Sequence, residues 1–412
     1  MTLSIVPPPV SPAPAFDLDP QAHVIGSDEE AIEVARALAA EFAVEAAARD
    51  RDRRLPAPEL DRFSKSGLWG ITIPRQYGGA GVSFVTLAEV IELISAADPS
   101  IGQIPQNHLA ALDAIRVTAS EEQKRLWFGR VLRGYRLGNA FSEARSKHVG
   151  AFETTLAPDG EGFRVNGEKF YATGALFAHF IHIGAVDGEG RVHLAIVPRD
   201  AEGLTIIDNW SGFGQRTTAS GNVRIDNVFV GPEGVIPAYR GGEIPSSNGA
   251  VSQIIQAAVD AGIARGAIEE TISFVRSHVR PWIDSGQEHG YEDVFTIAQV
   301  GDLKVKLHAA EALLEQAGRA IDALVADPTE EGTTAAAIAV AQAKVLTTEI
   351  AILATNRLHE LGGTRSTLGQ YNLDRHWRNA RTHTLHDPVR WKYFHVGNHA
   401  LNGVDPPRHA WS

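Results

Sequence analysis

The chain has no cysteine in 412 residues and only one methionine, Met1, where ordinary usage would supply on the order of a dozen sulfur-containing residues. The absence of cysteine excludes disulfides, thiolate metal sites, iron–sulfur clusters and cysteine nucleophiles together. Two causes fit: synthesis under sulfur scarcity, where each sulfur spared outweighs the packing versatility of methionine, and a genome-wide compositional bias. Composition does not separate them. Long Lys/Arg runs are also missing and the net charge is −12, which argues against a nucleic-acid partner, since neutralising phosphates needs a basic face. No stretch approaches about 18 uninterrupted apolar residues, so no membrane span is expected. Met1 to Pro20 holds six prolines and no basic n-region. It is expected to be a flexible tail and not a signal peptide, leaving a cytoplasmic enzyme or binding protein.

What is present is ordinary globular composition, 44% hydrophobic and 21% charged, in a chain long enough for two or three packed units. Ser27-Asp28-Glu29-Glu30 has a capping-box pattern ahead of an Ala-rich helical run to about Arg51. Helical spacing continues near Pro58–Ser66, Phe84–Ala97, His108–Thr118 and Glu121–Arg133. From about Leu137 the texture turns to alternating runs (Gly162–Gly167, Val192–Val197, Asn222–Val228) between Gly/Asp turns, which predicts a β-domain. Beyond Gly241 the helical period returns over Ser247–Arg280, Val294–Val325 and Thr333–Leu361, with a last segment near Asp387–Leu401. The expected division is a tail over 1–26, a helical domain over 27–135, a β-domain over 136–242 and a helical bundle over 243–412. Gly78-Gly79-Ala80-Gly81 and Gly212-Phe213-Gly214 lack the third glycine and the βαβ context of a dinucleotide fingerprint.

This α-β-α order, with Pro74-Arg75-Gln76-Tyr77-Gly78-Gly79-Ala80-Gly81, Ser120-Glu121-Glu122-Gln123 and Gly167-Glu168-Lys169-Phe170-Tyr171-Ala172-Thr173-Gly174, resembles the acyl-CoA dehydrogenase superfamily from about Ser27 onward. The segment Arg375–Pro388 is similar to the flavin-dependent monooxygenase branch, typified by dibenzothiophene monooxygenase and the sulfur-acquisition oxidoreductases. The resemblance implies an α+β fold: an N-terminal helical domain, a central β-barrel or sandwich and a C-terminal four-helix bundle. It also implies a homotetramer joined through the long helices, and it gives the sulfur-poor composition a cause.

In dehydrogenases of this superfamily a glutamate before the final helix is the catalytic base. Here the stretch reads Leu385-His386-Asp387-Pro388, and Asp-Pro fits the N-cap and first turn of the terminal helix. His386 just before it matches the monooxygenases' active-site histidine and is expected to supply a proton near a flavin C4a-peroxide, for which an imidazole suits. Thr173 takes the position whose hydroxyl meets flavin N5, and Tyr171 is expected on the same side of one strand. Asn139 matches an active-site asparagine, and Ser142 lies in a flavin-contacting segment. Gln103 and Asn107 stand where the dibenzothiophene enzyme has aromatic and imidazole groups, a more polar lining that suits a small sulfone or sulfonate. His108 and Trp210 are candidate pocket residues, with structural packing the open alternative for each. Arg276 and Arg280 fall where the superfamily places its flavin-phosphate arginine, often across a subunit interface. Arg-Pro-Trp in place of Arg-Phe-Gly favours FMN over FAD. A His383–His386 metal pair lacks a third ligand, so no metal is expected.

The expected function is the oxygenase component of a two-component monooxygenase. It would take FMNH2 by diffusion from an NAD(P)H-dependent flavin reductase, form a C4a-hydroperoxyflavin with O2 and oxidise a small organosulfur compound. The rivals are an FAD-dependent acyl-CoA dehydrogenase-type oxidoreductase, with Asp387 as its only base, and a non-catalytic flavin-binding regulator.

Overall fold

The computed structural model describes residues 14–143 and 146–412. The first thirteen residues of the expected tail lie outside them. Residues 14–26 correct the expectation of a flexible tail. Phe16 is held between the guanidinium groups of Arg136 and Arg199, 4.7 and 4.8 Å from its ring, and the Asp17 carbonyl lies 2.8 Å from His179 Nε2. An aromatic ring between two cations and a backbone hydrogen bond hold this arm across the junction of helices and sheet.

Six helices follow: α1 (Asp28–Asp52), α2 (Ala57–Ser66), α3 (Phe84–Ala97), α4 (Pro99–Gln103), α5 (Pro105–Thr118) and α6 (Glu121–Leu132). Ser27 Oγ accepts from Glu30 N, but Glu30 reaches back one residue further than a capping box requires, to Gly26 N. At α6 both halves of the box form between Ser120 and Gln123.

The β-domain comprises β1 (Leu137–Ala140), β2 (Thr155–Asp159), β3 (Gly162–Lys169), β4 (Phe180–Val186), β5 (Val192–Pro198), β6 (Leu204–Ile207), β7 (Asn222–Val230) and β8 (Val235–Ile236). Their order is β6-β7-β3-β2-β4-β5-β8, with β1 parallel to β4. Alternation decides what faces the helices. Ala140, Ile181 and Ile183 enter the sheet's own core, while Leu137, Leu194 and Ile196 join the helical core. Asn139 is in phase with Leu137 and in register with His182, so both lie on the helix side.

The C-terminal helices are α7 (Asn248–His278), α8 (Val294–Ala326), α9 (Glu330–Gly362), α10 (Asp374–His383) and α11 (Arg390–Asn402). α7 is buried on every side from Ala250 to Ala264, and small residues let α9 pack close against it. α9 is long and apolar enough to span a bilayer, but its most apolar window is 61% buried in the bundle. It is the bundle's core helix. α11 starts at Arg390 with no side-chain cap. Asp387 is therefore not the N-cap expected of it, because its carboxylate is turned inward.

Candidate active site

The strand expected to carry Tyr171 and Thr173 stops at Lys169. Phe170–Thr173 is instead a turn, in which Tyr171 takes a left-handed φ of 54°, a strain of roughly 1–2 kcal/mol for an L-residue. The turn is held by Asn139, whose Nδ2 donates to the Tyr171 carbonyl at 3.1 Å, and by Thr173 N, which donates to that carbonyl at 2.8 Å. Ser142 contributes its carbonyl, which accepts from Phe170 N at 2.9 Å. Alternation is lost, so Tyr171 is 53% exposed while Thr173 is buried. Tyr171 faces Trp210 edge-on at 6.0 Å, and Trp210 Nε1 donates to Gln215 O at 2.8 Å.

Thr173 Oγ1 is 2.7 Å from Ser220 Oγ, which is 2.7 Å from Thr218 Oγ1, which in turn donates to the Gln215 carbonyl at 3.0 Å. The loop carrying these hydroxyls is pinned to α10, where Asn379 Oδ1 accepts from Gln215 N at 2.7 Å. A Cβ on Gly214 would collide with the Arg378 carbonyl, so only glycine permits this approach.

His386 sits in the loop after α10, its side chain 35% exposed. Its Nδ1 is 3.1 Å from Asp387 Oδ2 and its Nε2 is 3.3 Å from Gln256 Nε2 on α7. Gln253 Nε2 donates to the same Asp387 oxygen at 3.0 Å and to the Ala410 carbonyl at 3.2 Å. Burial alone would raise the Asp387 pKa, but the charge and hydrogen bond of His386, with Lys344 and Gln253, hold it below the usual carboxylate range. An ionised Asp387 accepts from Nδ1–H, which leaves Nε2 as the lone-pair nitrogen, accepting from Gln256 Nε2 and able to take up a proton and pass it on. One turn back, His383 Nδ1 meets Asp260 Oδ1 at 2.6 Å.

His108 has no solvent exposure. Leu137 N donates to its Nδ1 at 2.9 Å, which makes Nε2 the donor to Trp69 O at 3.0 Å. Burial pushes its pKa down to about 3. It is a neutral tie between the helical domain and β1, and not the pocket residue expected. Gln103 is buried, with no partner for Oε1 among the described residues, and Asn107 is half-buried on α5. Ile104 lies against Gly174, which brings this helical junction to the Thr173 turn.

Arg276 and Arg280 are exposed, and Arg276 stacks on Tyr291 at 4.9 Å. Arg276 is twenty residues beyond Gln256 on α7, about 30 Å along a helix axis. One protomer does not bring these arginines to His386.

The sequence reasoning missed the partners: Gln253 and Gln256 for the His386–Asp387 pair, and Thr218 and Ser220 for Thr173. Gln253, Gln256 and Asp260 recur at i, i+3 and i+7 within an apolar run, a polar stripe on one helix face that could have flagged the site.

Family models for the acyl-CoA dehydrogenase N-terminal, middle and C-terminal domains match residues 27–135, 140–228 and 254–391. The chain belongs to the acyl-CoA dehydrogenase family. It is 33% identical to dibenzothiophene monooxygenase of Rhodococcus qingshengii over 98% of this chain and 99% of that one. It is 30% identical to the probable FMNH2-dependent monooxygenase SfnC of Pseudomonas putida over 91% and 96%. FMN-bound TdsC from Paenibacillus sp. A11-2 superposes with a TM-score of 0.88 at 34% identity, covering 93% of this chain and 100% of that one. Methanesulfinate monooxygenase MsuC from Pseudomonas fluorescens gives 0.86 at 31%, covering 92% and 99%. The fold and the monooxygenase branch expected from the sequence are both borne out.

The residues present fit a flavin. Asn139 Oδ1, beside the Thr173 turn, is a buried acceptor with no donor among the described residues, and a flavin ring presents N–H groups. A buried acceptor left unmatched costs about 1–3 kcal/mol, so the fold has reason to offer it to a ligand.

Proposed function

We propose that this chain is the oxygenase component of a two-component, FMNH2-dependent monooxygenase that oxidises a small organosulfur compound. When bound, reduced FMN supplies the electrons that activate O2. Asn139 and Thr173 bind one edge of the ring, with Ser142 and Tyr171 beside them. His386 donates a proton from Nε2 while Asp387 holds Nδ1, and the bundle keeps water from the reacting atoms. Gln103, Asn107 and Trp210 line the substrate side, their amides suited to sulfone, sulfinate or sulfonate oxygens. Arg276 and Arg280 bind the FMN phosphate of a neighbouring copy in a homotetramer, a planar fork being well matched to phosphate. The reduced flavin comes from an NAD(P)H-dependent reductase in the cytoplasm.

The observation that carries this reading is the His386–Asp387 pair. Where a dehydrogenase of this family needs a free carboxylate, this chain has a carboxylate tied to an imidazole and to Gln253. That arrangement serves proton donation and not α-proton removal.

The test is anaerobic reconstitution with FMNH2 followed by rapid mixing with oxygenated buffer. An absorbing species that precedes oxidised flavin, and is lost in His386→Ala, is expected. Oxidation at the rate of free FMNH2, or bleaching of the oxidised holoprotein by an acyl-CoA, would overturn the reading. The regulator alternative requires His386→Ala to change nothing.

A further inference from the structure

The hydroxyl chain behind Thr173 has a direction. A carbonyl can only accept, so Thr218 commits its one proton to Gln215 O. The 2.7 Å contact with Ser220 then requires Ser220 to donate to Thr218, and the 2.7 Å contact beyond it requires Thr173 to donate to Ser220. Each hydroxyl carries one hydrogen. Thr173, Ser220 and Thr218 are all at most 5% exposed, so water does not compete for these bonds. The result is that Thr173 Oγ1 offers lone pairs alone. Asn139 is fixed in the same sense: its Nδ2 must be the end facing the Tyr171 carbonyl, and Oδ1 is left buried and unpartnered. Two side chains of this wall are therefore obligate acceptors, and the polarity of one is set by residues 45 and 47 positions away in sequence.

We propose that the Thr218–Ser220–Thr173 chain makes this site select reduced over oxidised flavin. Reduced flavin carries a hydrogen on N5, which an acceptor binds. Oxidised flavin carries a lone pair there, which an acceptor repels. Thr173 and Asn139 touch the ligand, whereas Ser220 and Thr218 act through Thr173 as positioning residues. The chain thereby favours uptake of the form the reductase supplies and release of the form left after turnover. This rests on the placement of Thr173 at the N5 edge.

The experiment compares the affinity of the full-length protein for FMN, by fluorescence quenching in air, with its affinity for FMNH2 under anaerobic conditions. The wild type is expected to prefer FMNH2 on the order of tenfold to a hundredfold, the range that one buried hydrogen bond made or mismatched supplies. Ser220→Ala frees the Thr173 proton to turn toward the ligand, and Thr218→Val frees it through Ser220. Each should reduce the preference several-fold with little change in secondary structure, and Thr173→Ser should retain it. Equal wild-type affinities would overturn the proposal. So would an unchanged preference in both Ser220→Ala and Thr218→Val when Thr173→Val does alter flavin affinity. If Thr173→Val leaves both affinities untouched, the placement of Thr173 at the flavin itself is wrong, and the proposal falls with it.

Discussion

Lys344 Nζ on α9 lies 2.7 Å from Asp260 Oδ2 on α7, and neither side chain has any exposure to solvent. Thr348 Oγ1 donates to the same oxygen at 2.9 Å and His383 Nδ1 meets the other, so the charges are paired and hydrogen-bonded. Burial would raise the Asp260 pKa, but Lys344 and His383 hold it below the ordinary carboxylate range. Breaking such a pair leaves an uncompensated charge. Lys344→Met should therefore lower stability by about 3–5 kcal/mol, whereas replacing both partners by apolar residues should cost less than that single change. Urea unfolding of the two variants measures the difference.

Buried histidines set the acid limit. Neither ring nitrogen of His182 has a partner among the described residues, and burial lowers its pKa to about 4. His179 is likewise lowered to about 4, chiefly by burial. Below about pH 6.5 the unfolded chain takes up protons that the folded chain refuses, so stability falls as pH drops from there to about 4. His182→Leu should remove one proton from that slope, about 1.4 kcal/mol per pH unit. Urea midpoints across the window in wild type and variant check the difference in slope.

Asp387→Asn keeps the size of the side chain but removes the carboxylate that accepts from His386 Nδ1, and its amide can donate to Nδ1 and so reverse the tautomer. Lys344, Lys392, His383 and His409 also bear on this pair from the surrounding elements, and all are cationic or neutral, so nothing replaces the lost charge. The step that needs the proton should slow by about a hundredfold, within the range a positioned acid contributes. Stopped-flow oxidation of the FMNH2 complex reads the rate, and Asp387→Glu should recover part of it.

The long helices and the alternating strands were legible because each follows a single period: α3 spans Phe84–Ala97 and α8 begins at Val294, as the spacing predicts. Local rules failed where a distant residue decides the outcome. Asp387-Pro388 has the local form of a helix cap, but Gln253, 134 residues away, draws the carboxylate inward. Tyr171 lies in a stretch that continues a strand pattern, yet its φ of 54° is sustained by Asn139 from another strand. α10 was legible only as a motif, because Asp374–His383 is too polar for an apolar stripe to show. His386 and Thr173 were found through resemblance. Their partners, Gln253, Gln256, Ser220 and Thr218, are set by tertiary packing.

The position of Arg276 in the last turn of α7, with Arg280 just beyond that helix, makes a prediction about how many chains build one site. If the FMN phosphate is bound by arginines of a second copy, a protomer with Arg276→Ala and Arg280→Ala retains its own Thr173 and His386 but cannot serve its neighbour. A protomer with His386→Ala has the opposite defect. Each homomeric variant should be nearly inactive. In a mixed assembly, Thr173 and His386 of the first kind meet the intact arginines of the second at one site of each hybrid pair. With random pairing about half the pairs are hybrid, so close to a quarter of wild-type activity should return. Co-expression and assay of the total oxygenase, without selection for hybrids, measures it. Arginines acting within their own protomer would give no recovery, and that result would be hard to reconcile with the roughly 30 Å of rigid helix between Gln256 and Arg276.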